Sequence, residues 1–253
     1  MKPYYKNELT TIYNGDCLEV MDYLIEQGIK VDAIITDPPY GTTACSWDNV
    51  IPFDKMWERL KLLRKDKTPI ILFGSEPFSS QLRVSNLKDY KYDWIWEKEQ
   101  GSNFMNLKYQ PFKIHELISI FTSHNYFPKM GTGKPYRDTD RKNNVKHSIK
   151  RYTKKKINNK GERYPTSILK FINDTKKGNS YHPTQKPIEL MKYLIETYTK
   201  KGDLILDFTA GSFTTCVGAD QLERRSIGIE QLQKYCDIGI KRLESLQMRL
   251  DIW

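Results

Sequence analysis

A carboxylate, a fixed carbonyl and an aromatic ring lie together in the segment Asp37-Pro38-Pro39-Tyr40. The β-branched run 31–36 before it is typical of a buried strand, and the two prolines end that strand and exclude a helix. Two oxygen acceptors can bind both N–H groups of an exocyclic amine, while a ring stacks on a flat heterocycle. We therefore expect Asp37, Pro38, Pro39 and Tyr40 to form a turn that binds such an amine. The alternative is an ordinary strand-ending turn with a surface tyrosine.

A second acidic turn, Asp207-Phe208-Thr209-Ala210-Gly211-Ser212-Phe213-Thr214-Thr215, lies between a predicted strand and a predicted helix. Its small residues let a ligand approach the backbone closely. Glu230 ends the next strand about 20 residues later, where an acid binds ribose hydroxyls in nucleotide-binding sheets. The sequence has no Gly-x-Gly-x-x-Gly and no Gly-Lys-Ser/Thr, which favours a nucleoside without phosphates over a pyrophosphate. A purely structural loop is the alternative.

The positive charge of the chain is concentrated in one window. The formal net charge is +10, from 41 basic and 31 acidic residues. The window from Pro128 to Lys160 holds nine Lys, three Arg and two Asp, so it carries the whole excess. A neutral body with one basic segment indicates a polyanion bound at a defined place.

The remaining composition excludes several classes of protein. The four cysteines, at positions 17, 45, 216 and 236, are far apart, so we interpret them as structural and expect no metal site and no disulfide framework. The chain has no run of about 18 apolar residues and no apolar signal-peptide core near Met1. We expect a cytoplasmic protein without a membrane partner.

Hydrophobic periodicity predicts strands that alternate with helices, which is typical of an α/β, doubly wound sheet. The predicted strands are 9–13, 31–36, 69–73, 92–97, 116–121, 203–207 and 226–230. The predicted helices are 17–27, 53–65, 77–87, 187–199, 214–222 and 232–250. Between 125 and 177 apolar periodicity nearly vanishes. We expect 1–124 and 178–253 to form one catalytic domain, with 125–177 inserted into it.

The Asp-Pro-Pro-Tyr turn resembles the catalytic motif of the amino-methyltransferases, which methylate exocyclic nitrogens of DNA bases. The turn 207–215 resembles their cofactor loop, usually written Asp-x-Phe-x-Gly-x-Gly. Thr209 stands where Phe is usual, and Phe213 stands where the second Gly is usual, which predicts a ring beside the cofactor path. Two further segments match: His182-Pro183-Thr184-Gln185-Lys186-Pro187 and Asn14-Gly15-Asp16-Cys17-Leu18. The four matches span nearly the whole chain. The order of the catalytic turn, the basic window, His182–Pro187 and the cofactor loop is that of the β class.

This resemblance implies a Rossmann-like, mixed-sheet methyltransferase fold that binds S-adenosylmethionine. The implied cofactor-binding residues are Asp16, Cys17, Asp37, Thr184, Lys186, Asp207, Phe208, Thr209, Ala210, Gly211, Ser212 and Glu230. Double-stranded DNA is the implied substrate, and the basic window is the implied target-recognition region. The expected DNA-binding residues are Lys129, Lys134, Arg137, Arg141, Lys142, Lys150, Arg151, Lys154, Lys155 and Lys156.

The implied reaction is site-specific methylation of adenine N6, by direct in-line attack of a flipped-out base. Asp37 favours adenine, since Ser commonly replaces that Asp in the cytosine-N4 enzymes of the family. A cytosine-N4 methyltransferase, an RNA or protein methyltransferase, and a DNA-binding relative with impaired cofactor binding remain as alternatives. Members of the family often form homodimers, and the sequence carries no decisive evidence for or against one here. A cognate restriction nuclease stays open as a partner, but this sequence carries no nuclease motif.

Overall fold

The computed structural model describes residues 1–42, 48–101, 103–138, 157–173, 181 and 185–250. They fall into two compact units: Met1–Phe127 with Ser167–Trp253, and Pro128–Thr166. In the described part of the chain, no helix combines the length and the apolar character that crossing a membrane requires.

A nine-stranded mixed sheet forms the centre of the first unit. Its strands are β1 (Tyr5–Lys6), β2 (Thr10–Asn14), β3 (Ala33–Thr36), β4 (Ile70–Gly74), β5 (Tyr90–Glu97), β6 (His115–Phe121), β11 (Ile168–Lys170), β12 (Leu204–Asp207) and β13 (Arg225–Glu230). Across the sheet they lie in the order β1-β2-β13-β12-β3-β4-β6-β5-β11. Strands β2, β13, β12, β3 and β4 are parallel, and β6 runs antiparallel between β4 and β5. The carboxyl ends of these five parallel strands therefore meet the start of β6 at one edge of the sheet.

Helices cover both faces of this sheet. They are α1 (Cys17–Glu26), α2 (Phe53–Leu63), α3 (Phe78–Ser85), α4 (Ile188–Tyr198), α5 (Thr214–Gln221) and α6 (Gln233–Leu250). Neighbouring residues of one strand pack on opposite faces of the sheet. Ile34 packs with α1, α2 and α3 on one face, and Ile35 packs with α4 on the other. Strands buried on both faces read as continuous apolar runs, which explains the run that precedes Asp37.

The connections create a topological switch point between β3 and β12. The chain passes from β3 through α2 to β4 on one side, and from β12 through α5 to β13 on the other. Open α/β sheets bind ligands at such points, outside the carboxyl ends of the strands. Asp37 follows β3 and Asp207 ends β12, so the two acidic turns are neighbours by topology.

The second unit is an antiparallel hairpin, interrupted along its length. Strand β7 (Gly131–Thr132) pairs with β10 (Glu162–Arg163), and β8 (Tyr136–Asp138) pairs with β9 (Ile157–Asn159). The Arg163 guanidinium donates to the Asn159 side chain at 2.6 Å and lies 5.0 Å from the Tyr136 ring centroid. Residues 139–156 lie outside the described residues.

The α/β class and the doubly wound, mixed sheet predicted from the sequence are confirmed. The predicted boundaries of the insertion, 125 and 177, differ from those of the second unit, which spans Pro128–Thr166. The difference arises at β11, which pairs with β5 and buries Leu169 in the core of the first unit. A three-residue strand is too short to show periodicity, and sequence reasoning missed it.

Candidate active site

A cavity of ≈ 750 Å³ opens at the switch point and brings the predicted site segments together. Its lining includes the catalytic turn Asp37–Tyr40, the residues Asp207–Ser212, and Glu230. Asp16 and Cys17, at the start of α1, line it as well. Segments that are far apart in the chain therefore face one space, because each lies at the carboxyl end of a parallel strand.

The Asp37 carboxylate is the centre of a hydrogen-bonded cluster. One oxygen accepts the Tyr40 hydroxyl and the other accepts the Lys186 ammonium. Burial raises the pKa of Asp37, the Lys186 charge opposes that rise, and the Glu116 carboxylate adds to it. The Asp37 backbone carbonyl accepts the Thr209 hydroxyl at 3.0 Å, which ties the catalytic turn to the loop after β12.

Tyr40 is half-buried beside this carboxylate. Its ring centroid lies 5.0 Å from that of Phe78, with the planes 31° apart, and its hydroxyl donates to Asp37. Burial raises the pKa of Tyr40 well above its ordinary value, and the Asp37 charge raises it further, so the hydroxyl stays a donor. The interpretation of Tyr40 as a surface side chain is wrong, because its ring and hydroxyl are both held inside the cavity wall.

Asp207 organises the loop that follows β12. Its carboxylate accepts the Thr36 and Thr215 hydroxyls, and it accepts the Thr209 backbone N–H at 3.3 Å. Only 4 % of the residue is exposed, and burial raises its pKa from 3.8 to about 6. Asp207 therefore fixes the loop against β3 in addition to lining the cavity.

Two further carboxylates face the same end of the cavity. Glu230 accepts the Gly211 N–H at 3.0 Å and the Leu232 N–H at 2.8 Å, so it holds the loop after β12 open toward the cavity. Burial raises the pKa of Glu230. Asp16 caps α1, accepting the N–H groups of Leu18 and Glu19. Both of these N–H groups donate to Oδ1 of Asp16, so its Oδ2 keeps its lone pairs for a ligand donor.

Cys17 follows Asp16 and lines the cavity as an uncharged thiol. Burial raises its pKa to about 12. This value fits the interpretation of Cys17 as a structural residue, because a thiol that stays protonated is a poor nucleophile and a poor metal ligand. Cys45 lies outside the described residues. In the described part of the chain, no group of three or more His, Cys, Asp or Glu side chains could hold a metal ion.

The predicted ring beside the cofactor path is wrong, since Phe213 faces away from the cavity. Its side chain is fully buried in a core cluster with Ile12 and Cys236. Two glycines give the ring its space: a Cβ on Gly228 or Gly239 would lie 2.6 or 2.4 Å from ring carbons. The residue takes the left-handed conformation, with φ 61°, which turns its side chain toward α6.

Sequence reasoning missed two charged residues in the cavity wall, Lys98 and Glu116. Lys98 follows β5, and Glu116 lies near the start of β6. Strand alternation was the available signal, because Lys98 stands two positions after the buried Trp96 and so shares its face. Lys186, predicted from its motif, lies between Asp37 and Glu116 and is 8 % exposed.

Other predicted residues lie elsewhere. Thr184 and seven of the predicted DNA contacts, Arg141, Lys142, Lys150, Arg151, Lys154, Lys155 and Lys156, lie outside the described residues. Lys129, Lys134 and Arg137 are exposed residues of the second unit. Their role in binding DNA stays a prediction.

The chain matches the model of the N6_N4_Mtase family, described as DNA methylase, over residues 31–241. The Type II methyltransferase M2.MboI of Moraxella bovis is 25% identical over 274 residues, covering 97% of this chain and 92% of that protein. The DNA adenine methyltransferase YhdJ of Escherichia coli (strain K12) is 27% identical over 263 residues, covering 95% and 84%. The solved M1.HpyAVI–SAM complex has a TM-score of 0.63 and 25% identity, covering 93% of this chain and 100% of that one.

Proposed function

The chain belongs to the N6_N4_Mtase family of DNA methylases, and from that premise we propose that it methylates the N6 amine of adenine at a specific site in double-stranded DNA. The methyl donor is S-adenosylmethionine. The observation that carries the proposal is the shared cavity, in which the Asp37 carboxylate and the Gly211 loop face one space.

The acidic end of the cavity fits S-adenosylmethionine by its chemistry. Asp16, Asp207 and Glu230 line that end, and small residues from Ala210 to Ser212 leave room beside the backbone. Carboxylates accept hydroxyl and ammonium hydrogens and favour a positive charge, whereas they would repel a pyrophosphate. Asp16 and Glu230 would hold the nucleoside part, and when bound the group supplies a methyl on a positively charged sulfur.

The catalytic turn has the acceptors that an adenine amine needs. The N6 lone pair is shared with the ring, so the amine is a poor nucleophile until its two hydrogens are bound. The Asp37 carboxylate accepts one hydrogen and the Pro38 carbonyl accepts the other, which makes the nitrogen pyramidal and orients its lone pair. No covalent enzyme intermediate is required, since positioning and preorganised acceptors supply the catalysis. The proton leaves during or after the transfer, and Asp37 is a candidate relay for it.

Reaching this turn requires the base to leave the duplex, at a cost of a few kcal/mol. Contact of the base with the Tyr40 ring would return roughly 1–3 kcal/mol. The basic residues of the 125–177 segment would bind phosphates, and its Tyr136 and Tyr152 side chains would contact bases. These contacts would determine which site is methylated.

Adenine is favoured over cytosine by the leading acid of the turn. Asp37 occupies the position where Ser is common in the cytosine-N4 enzymes of the family. A similar relative, YhdJ, is named as a DNA adenine methyltransferase. Cytosine N4 is the second candidate, because its amine presents the same two hydrogens to the same acceptors.

The test is nucleoside analysis of an unmodified genome treated with the protein and S-adenosylmethionine carrying a deuterated methyl. We expect deuterated N6-methyladenine, and loss of roughly 100-fold or more in rate for Asp37→Ala, by analogy with preorganised sites that lose one polar group. Deuterated N4-methylcytosine in place of N6-methyladenine would refute the adenine assignment and support the second candidate, methylation of cytosine N4. Cofactor binding in calorimetry without methylation of DNA, but with methylation of RNA or protein, would refute it.

A further inference from the structure

Five side chains of the cavity wall form a continuous polar chain. Lys98 donates to Glu116 at 2.9 Å, and Lys186 lies 3.3 Å from the other Glu116 oxygen. Lys186 also donates to Asp37, which in turn accepts the Tyr40 hydroxyl. Two ammonium groups and two carboxylates thus alternate from β5 to the catalytic turn.

One carboxylate oxygen of Glu116 is ion-paired with Lys186, the central member of this chain, without a hydrogen bond to it. Its Oε2 atom is buried and accepts no hydrogen bond from the described part of the protein, although Lys186 lies 3.3 Å away. Its side chain is 16 % exposed, and that of Lys98 is 13 % exposed. Burying an ion costs several kcal/mol and pairing often repays this cost only in part, so an arrangement of four paired, buried charges is weak evidence for a stabilising role.

Lys186 is divided between two carboxylates rather than held by one. Burial alone would lower the pKa of Lys186, but the Asp37 and Glu116 charges raise it above its ordinary value. If Glu116 were neutral, the ammonium would be free to pair with Asp37 alone. A carboxylate neutralised in this way is a weaker acceptor for a substrate amine.

We propose that Glu116 and Lys98 are positioning residues, which hold the Lys186 ammonium in a divided ion pair so that the Asp37 carboxylate keeps acceptor strength for the target amine. The proposal rests on the proposed function, because it concerns the same amine. Neither residue needs to touch the substrate, since both act through Lys186.

The pH dependence separates this role from a purely structural one. The groups that act on Asp37 are Lys186, Glu116 and Tyr40, with Asp207 on the neighbouring strand. The Glu116 charge raises the pKa of Asp37, so its removal lowers that pKa. The acid limb of the pH–rate profile should then move to lower pH, even though the rate at the optimum falls.

The experiment compares Glu116→Gln with Glu116→Asp in the full-length protein. For Glu116→Gln we expect kcat to fall about 10- to 100-fold, as for a misplaced catalytic group. The acid limb should move down by about one pH unit, as expected for the loss of a nearby like charge. Glu116→Asp keeps the charge and should keep the position of the limb. The matched control is Glu97→Gln, because Glu97 is on the adjacent strand β5 and pairs with Lys170 at the surface.

Two further measurements keep the outcome decisive. Glu116→Gln leaves Lys98 buried without its carboxylate partner, which could prevent folding. The double variant Lys98→Met/Glu116→Gln removes both charges, so it should fold, and its acid limb should show the same shift. The pKa of Asp37 can also be measured without turnover, from the pH dependence of the free energy of unfolding. Proteins with Asp37 and with Asp37→Asn are compared, once with Glu116 intact and once with Glu116→Gln. An unshifted limb and an unchanged Asp37 pKa would overturn the inference. If the wild-type protein does not methylate DNA but the pKa of Asp37 still shifts in Glu116→Gln, only the proposed function is refuted. The charge coupling between Glu116 and Asp37 then stands.

Discussion

Replacement of Phe213 by glycine should destabilise the protein and leave cofactor binding unchanged. Glycine is the usual residue at this position of the cofactor loop, and the left-handed backbone at φ 61° favours it. The ring, however, is fully buried and does not line the cavity. The structure therefore predicts that glycine, the usual residue in the family, makes this protein less stable at position 213.

The magnitude follows from three contributions. Truncation of a buried Phe side chain costs about 3–5 kcal/mol. Relief of the left-handed strain returns about 1–2 kcal/mol. The added freedom of a glycine backbone in the unfolded chain costs about 0.5–1 kcal/mol. The sum is a loss of roughly 2–4 kcal/mol in the free energy of unfolding.

Urea unfolding measures this loss, and calorimetry with S-adenosylmethionine should give an affinity within about threefold of wild type, which is less than 1 kcal/mol. Gly239→Ala is the complementary variant, because its new methyl would overlap the Phe213 ring at 2.4 Å. Overpacking costs about 1–3 kcal/mol, against about 1 kcal/mol gained in helix propensity. In the Phe213→Gly background only the gain remains, so Gly239→Ala should become stabilising. Additive effects of the two changes, or tighter cofactor binding by Phe213→Gly, would refute the reasoning.

Three other expectations follow from the site and from the basic window. Lys186→Met should lower the free energy of unfolding, measured in urea, by about 3–5 kcal/mol, because it leaves the buried Asp37 carboxylate without its cation. Lys201→Met, which breaks an exposed ion pair, should lower it by less than about 1 kcal/mol. Equal losses in the two variants would contradict the expected effect of burial. Relative to Asp207→Asn, the wild type should lose up to about 3 kcal/mol in the free energy of unfolding as the pH rises from 3.8 through about 6. The raised pKa of Asp207 stabilises the folded protein fully at pH values below the unfolded pKa, and this contribution is lost as the pH rises through the folded pKa. Parallel stability curves for the two proteins against pH would be evidence against this. Changing Lys154, Lys155 and Lys156 to Ala should reduce the slope of log K against log salt by about 0.9 for each phosphate that is no longer neutralised, measured by fluorescence anisotropy with duplex DNA, and an unchanged slope would remove these residues from the interface.

The acids of the site show how far local sequence goes. The sequence identifies Asp37, Asp207 and Glu230 because each ends or directly follows a predicted strand, and parallel strands bring their carboxyl ends to one edge of the sheet. Their hydrogen bonds were not predictable, since the Thr36 and Thr215 hydroxyls that bind Asp207 lie 171 and 8 positions away. Pairing at such separations depends on register, which periodicity does not give.

The sequence by itself determined the class of fold, the order of the segments and the chemistry of the catalytic turn, because apolar periodicity, diproline stiffness and residue type act over a few neighbouring positions. Only the tertiary structure decided where side chains point and which charges share a pair. The Phe213 ring turned into the core because two distant glycines leave it space, and Glu116 joined Lys186 because an antiparallel strand begins where parallel strands end. Packing space and charge pairing are properties of the assembled molecule, so they exist only after the chain has folded.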